Sequence, residues 1–252
     1  MKNFLKAYWK TLAFFAVMGI VGGFCVGLYL MDSYPVEVQQ QIQDQGLTPV
    51  LLGLVTALQG AGYGVVLGAI GIVLAKKLGL WKDEITFERK PLVAAMLISF
   101  VGGLAMILLD IFWFGNASQV IRDSYLEKPT PVFILGSVLY GGVIEEVMLR
   151  LFLMSLLAFL LHKIFGKGRE LPAPLVLVTA NILSALLFAA GHLPATAMLM
   201  GITPVILVRC FLLNGGIGLG FGWLYGKHGL RYAMIAHAGC HVVSKLIWIL
   251  FI

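Results

Sequence analysis

Charged side chains are scarce in this sequence: Asp, Glu, Lys and Arg make up 12% of 252 residues, against about 25% in a soluble domain. That scarcity excludes a water-exposed globule. Cysteine is nearly absent too. Cys25, Cys210 and Cys240 are far apart, with no CxxC spacing, which excludes a thiolate metal cluster or a disulfide framework and leaves them as small apolar residues. No run of alternating ten-residue segments argues for a transmembrane barrel. No repeat relates the two halves and no paired broken helices occur, which argues against a secondary transporter. The first apolar run has no small-x-small cleavage site and is too long for a signal-peptide core, so it reads as a helix.

What the chain has is apolar length. Hydrophobic residues are 60% of it and the mean hydropathy is +0.96. A crossing of the bilayer core needs about 20 apolar residues. Seven runs qualify, at about 11–31, 50–75, 92–114, 131–162, 175–201, 203–226 and 232–251. Lipid offers backbone groups no partner, so the runs are expected to be helices. The fold class is all-α: a polytopic transmembrane helix bundle of about seven spans, forming one membrane-embedded domain over 1–252.

Orientation follows from lysine and arginine. With a cytoplasmic N-terminus, Lys2, Lys6, Lys10, Lys76, Lys77, Lys82, Arg89, Lys90, Lys163, Lys167, Arg169, Lys227 and Arg231 fall inside, and only Arg122 and Lys128 fall outside. The C-terminus is then external. The net charge of +6 is accounted for by topology and attraction to an anionic leaflet, so nucleic acid is not implied. The 76–91 connection, with Trp81 and Phe87 among charges, suits an interfacial helix, and the first outer loop suits a helical turn in 39-QQQIQDQ-45. Glycines at four-residue spacing, Gly19, Gly23 and Gly27, then Gly60, Gly64 and Gly68, are expected to let helices approach closely.

Against this background the stretch 140-YGGVIEEVMLRLF-152 stands out, with Glu145, Glu146 and Arg150 inside an apolar run. Each buried charge costs about 2.5–3.5 kcal/mol on insertion scales. Glu146 and Arg150, four apart, pair along one face as a structural ion pair. Glu145 points about 100° away, lacks a partner on its own helix, and is expected to face a cavity. In the fifth run Asn181, Phe188 and His192 share a stripe, with Ser184 beside it, which makes Asn181 and Phe188 candidates for a substrate pocket. In the seventh, His237 and His241 lie one turn apart. At about 1.5 Å per residue, Glu145 sits roughly 21 Å from residue 131, near the level of His237. His192 reaches that depth if the fifth span continues past a kink at Pro194. Asp110, Arg209, Asn214 and Lys245 read as structural groups, Arg209 and Lys245 free to snorkel or pair, and His162 and His228 as boundary residues.

Glu145-Glu146-x-x-x-Arg150, Phe188-x-x-x-His192 and His237-x-x-x-His241, in this order, resemble the CPBP family of CAAX proteases and bacteriocin-processing enzymes, also called Abi proteins. The resemblance covers about 135–245, within a core spanning 91–252. One departure stands at His241, where the family's third motif usually ends in Asn or Asp. The resemblance implies an intramembrane endopeptidase in which Glu145 and His192 activate water while His237 and His241 steady the oxyanion. It implies a membrane-associated peptide or lipidated protein as substrate, in a bacterial plasma membrane. No cofactor is expected. Zinc held by Glu145, His192, His237 and His241 is the second choice, since an HExxH helix is lacking. A catalytically inactive scaffold or bacteriocin-immunity protein, or a proton-coupled transporter using Glu145, are the alternatives.

Overall fold

A computed structural model of the chain describes residues 2–83, 86–166 and 168–252. Nine helices account for the regular structure among them, with no strand. They are α1 (Lys2–Ser33), α2 (Val36–Asp44), α3 (Pro49–Lys77), α4 (Arg89–Ala117), α5 (Gln119–Asp123), α6 (131–165), α7 (Pro174–Met200), α8 (Pro204–His228) and α9 (Leu230–Phe251). Six of these, α1, α3, α4, α7, α8 and α9, are long and apolar enough to cross a membrane. The remaining expected span is α6, one uninterrupted helical run whose segments Ser137–Glu145 and Val147–Met154 are π-wound. The chain is therefore a polytopic all-α bundle.

Three helices begin with the same local device. Thr48, Thr130 and Thr203 each precede a proline at the first helical position. Their hydroxyls accept hydrogen bonds from the backbone N–H of Leu51, Phe133 and Ile206. The threonine satisfies an orphan donor, and the proline supplies a helical φ without needing its missing N–H.

The helix α6 packs against α1, α3, α7, α8 and α9, while α4 lies along α9 and α8. Its Val147, Leu151, Met154 and Ala158 join Ile72 and Ala75 of α3, Ala180 of α7, Phe221 and Leu224 of α8, and Ala233 and Ala236 of α9 in one buried cluster. Leu58, Met96, Leu97, Phe100 and Val101 face outward and are exposed, which suits hydrocarbon rather than water. Lipid gives helices no hydrophobic reason to associate, so close backbone approach takes that role. A Cβ at Gly19 would lie 2.4 Å from the Gly60 carbonyl carbon. One turn on, Thr56 Oγ1 donates to the Gly23 carbonyl at 2.7 Å. The glycine spacing read from the sequence thus seats α1 on α3.

Polar ties close both ends of the bundle. At one end, Tyr8 Oη and Trp81 Nε1 donate to Asp83 Oδ1 at 3.0 and 2.7 Å. The bonds from Trp81 and Tyr8 hold the Asp83 carboxyl below its ordinary value. At the other end, Asp110 is fully buried. It accepts from Arg209 Nε and Nη2 at 2.6 and 2.6 Å, and from Tyr125 Oη at 2.7 Å. Of the two roles open to it, Arg209 takes the pairing one: with Asp110 it forms a bidentate pair linking α4 to α8. One expectation is corrected. The 76–91 connection holds no helix between Leu78 and Glu88 among the described residues, because Gly79 at φ 70° turns the chain out of α3 and Trp81 is anchored through its indole N–H. Glu84 and Ile85 lie outside the described residues. The turn expected in the first outer loop is the helix α2.

Candidate active site

The site is assembled around the π-wound middle of α6. A π turn, with i→i+5 hydrogen bonds, widens the helix and is frequent at functional sites. Here it presents Glu145 and Glu146 in succession to two different environments. Glu146 is fully buried. Its Oε1 lies 2.9 Å from Arg150 Nη1 in an ion pair and accepts a hydrogen bond from His237 Nδ1 at 2.8 Å. Arg150 is 1% exposed. It donates a further bond from Nη2 to the Gly218 carbonyl at 2.9 Å and lies over the rings of Phe188 and Phe221, 4.9 and 5.4 Å from their centroids. The ion pair expected from the four-residue spacing is present. The bond from Glu146 to a histidine on α9 was not legible from that spacing.

Glu145 retains one-fifth of its exposure and stands between two imidazoles. Its Oε1 is 3.9 Å from His192 Nε2 and its Oε2 is 3.8 Å from His237 Nε2. Both separations exceed a direct hydrogen bond and match a gap bridged by one water. The free side of each ring is set by what holds the other side. A carbonyl oxygen only accepts, so the 2.9 Å contact of His192 Nδ1 with the Phe188 carbonyl puts that ring's proton on Nδ1. Glu146 does the same for His237. In their neutral forms both rings turn a bare Nε2 toward Glu145, so a water there would meet three acceptors and no competing donor.

Packing fixes these rings. Phe188 is buried, edge-on to His192 at 4.7 Å and to His237 at 5.8 Å. Phe221 stacks on His237 at 4.5 Å and 17°, and His237 stacks on His241 at 5.0 Å and 29°. Phe188 is thus a wall behind the two histidines. The helix α9 comes this close because α6 presents glycines to it. A Cβ at Gly142 would lie 2.6 Å from Ala238 Cβ, and one at Gly141 would lie 2.8 Å from His241 Nε2 and 3.7 Å from His237 Nε2. The helix α7 continues through Pro194 to Met200 and carries His192 to the level of Glu145. Ser184 on α7 donates to the Leu149 carbonyl at 2.7 Å, holding α7 to α6.

The structure therefore brings Glu145, His192, His237 and His241 together, with Glu146 and Arg150 beneath them. Asn181 is elsewhere. It shares the azimuth of His192 on α7 but lies about 16 Å away along the axis, where its Nδ2 donates to the Leu219 carbonyl at 3.0 Å. That clasp between α7 and α8 replaces the pocket role expected of it. Of snorkelling and pairing, Lys245 takes the second, buried beside His241. Among the described residues no group of three or more His, Cys, Asp and Glu side chains is arranged to hold a metal ion. His192 and His237 address different oxygens of Glu145, and His241 Nε2 faces Gly141, so the four side chains do not converge as a zinc cage would require.

Access is apolar. A cavity of about 440 Å³ opens between α4 and α8, lined by Leu97, Val101, Ala105, Leu109, Leu212 and Ile217 among others. It shares Leu213 and Ile217 with a smaller cavity that reaches Asn214, His237 and His241.

Residues 127–243 match the family model described as Rce1-like, type II CAAX prenyl endopeptidase. The matched stretch contains all three motifs, and the resemblance drawn from them holds. No curated protein and no solved structure matches the chain. Over that stretch the chain is similar to prenyl endopeptidases of the CAAX type.

Proposed function

With residues 127–243 matching the Rce1-like type II CAAX prenyl endopeptidases, we propose that this protein is an intramembrane endopeptidase that hydrolyses a peptide bond with water activated by Glu145 and His192. The observation that carries the reading is the placement of the Glu145 carboxylate 3.9 and 3.8 Å from two ring nitrogens. A water in that gap gives one proton to Glu145, and its oxygen attacks the scissile carbonyl carbon. The new C–O bond displaces the carbonyl electron pair onto oxygen. When the tetrahedral intermediate collapses, the C–N bond breaks and Glu145 returns the proton to the leaving amine. A base held in an apolar, water-poor site suits this exchange.

The oxyanion needs donors where its charge develops. His241 Nε2 and His237 Nε2 both approach Gly141. Neutral His237 carries its proton on Nδ1 toward Glu146, so it donates from Nε2 only once a second proton, from solvent, has made it an imidazolium, a charge that Glu146 stabilises. Glu146 and Arg150 thus hold a catalytic ring as well as the fold. The apolar cavity between α4 and α8 suits a lipid chain on the substrate. Thirteen basic residues in the loops of one side of the membrane, against two in those of the other, support a cytoplasmic N-terminus and an external C-terminus. We infer no cofactor in this cycle. Incubating purified protein with a prenylated C-terminal peptide tests the reading. Cleavage by wild type and none by Glu145→Gln supports it; equal cleavage by both, or none by wild type against prenylated and unprenylated membrane peptides alike, overturns it.

A further inference from the structure

On α9 the residues His237, His241 and Lys245 follow at four-residue intervals and share one face. Lys245 is 7% exposed. Its Nζ lies 3.5 Å from His241 Nδ1 and 4.5 Å from the centroid of the Phe133 ring. No ion pair joins it to a carboxylate among the described residues. A lysine inside a lipid-embedded bundle is costly and marks function more often than packing. The Phe133 ring face offsets part of that cost, and the remaining polar contact is the histidine.

We propose that Lys245 is a positioning residue that fixes the proton of His241 on Nε2 and so turns that ring into a neutral hydrogen-bond donor for the reacting carbonyl oxygen. The inference rests on the endopeptidase reading. An ammonium has three donors and no lone pair, so His241 Nδ1 accepts and the ring's proton resides on Nε2. That nitrogen is directed at Gly141, beside His237 Nε2. The stacked pair is thereby set in opposite senses. A carboxylate takes the Nδ1–H of His237, and an ammonium supplies the Nδ1 bond of His241. An asparagine at 241, the family's usual residue, carries an N–H that needs no such arrangement. The histidine and Lys245 form a two-residue replacement for it.

Two measurements on the full-length detergent-solubilised protein decide this. The first is activity in five proteins: wild type, Lys245→Met, Lys245→Arg, His241→Asn and the Lys245→Met, His241→Asn double variant. Lys245→Met is expected to lower kcat about 10- to 100-fold with little change in KM, less than the about 10²- to 10³-fold lost with a whole oxyanion donor. In the His241→Asn background it is expected to change kcat by less than about threefold, and Lys245→Arg, which keeps a donor, should recover most of the wild-type rate. An equal loss in both backgrounds would make Lys245 a packing residue and overturn the inference. The second is the ¹⁵N chemical shifts of the His241 ring in wild type, assigned by their absence in His241→Asn. Protonated Nε2 with a hydrogen-bonded bare Nδ1 is expected; a protonated Nδ1 overturns the inference even if Lys245→Met fails to fold. A wild-type protein that cleaves nothing counts against the endopeptidase reading alone, since the nitrogen shifts still decide the tautomer.

Discussion

Adjacent glutamates on α6 should fail in different ways when removed. Glu146→Ala deletes a carboxylate that pairs with Arg150 Nη1 at 2.9 Å and accepts from His237 Nδ1 at 2.8 Å, leaving a guanidinium 1% exposed with the Gly218 carbonyl and two ring faces as its company. Breaking a buried pair from one side costs about 3–5 kcal/mol. That is a large share of a total stability of about 5–15 kcal/mol. Glu145→Ala removes a partly exposed carboxylate whose nearest nitrogens stand at 3.8 and 3.9 Å, so its loss should cost under about 1 kcal/mol. His192→Ala belongs with Glu145→Ala. The assay is size-exclusion thermostability of the solubilised protein, run beside peptide cleavage. Glu146→Ala and Arg150→Ala should lose folded yield or about 10 °C of apparent melting temperature, while Glu145→Ala and His192→Ala elute as wild type and cleave nothing. Because apolar residues of similar volume often replace a buried pair without loss, a Glu146→Met, Arg150→Met double variant should melt above either single one. If Glu145→Ala and Glu146→Ala melt together, or Glu146→Ala melts as wild type, the division between them is wrong.

Three further outcomes are expected. His241→Ala should lower turnover about 10²- to 10³-fold, and His241→Asn by less than about tenfold and insensitive to chelator. Stoichiometric zinc lost on the Asn substitution would restore the metal alternative. Gly142→Leu should reduce folded yield, since even a Cβ there meets Ala238 Cβ at 2.6 Å; a well-folded variant in expression trials would contradict the close approach of α6 and α9. Cysteine labelling or a reporter fused after Ile252 should place the C-terminus outside, and a cytoplasmic tag would reverse the topology.

Much of the fold was legible because a bilayer reduces it to span length. Each apolar run became a helix, α1 beginning well before its expected start, at Lys2, and the others ending within a few residues of their expected bounds, and the glycine spacing in α1 and α3 correctly signalled a tight seam. The Thr-Pro starts of α3, α6 and α8 were also in the sequence and went unread, although each is a local capping signal. What periodicity could not supply is depth and partner. Asn181 has the azimuth of His192, yet its position along α7 serves α8. Glu146 was paired with Arg150 by spacing, while its bond to His237 spans 91 residues of sequence. The π winding of α6 has no signature in its apolar pattern. Lys245 resembled any boundary lysine until its ammonium was seen against His241.

The central claim is that Glu145 activates water for peptide hydrolysis, and cleavage of a prenylated peptide in ¹⁸O-labelled water by purified wild type and Glu145→Gln tests it most directly. The account predicts one ¹⁸O atom in the new carboxyl terminus from the wild type, and no product from a Glu145→Gln protein whose elution and melting are unchanged. Labelled product formed at the wild-type rate by folded Glu145→Gln would contradict it.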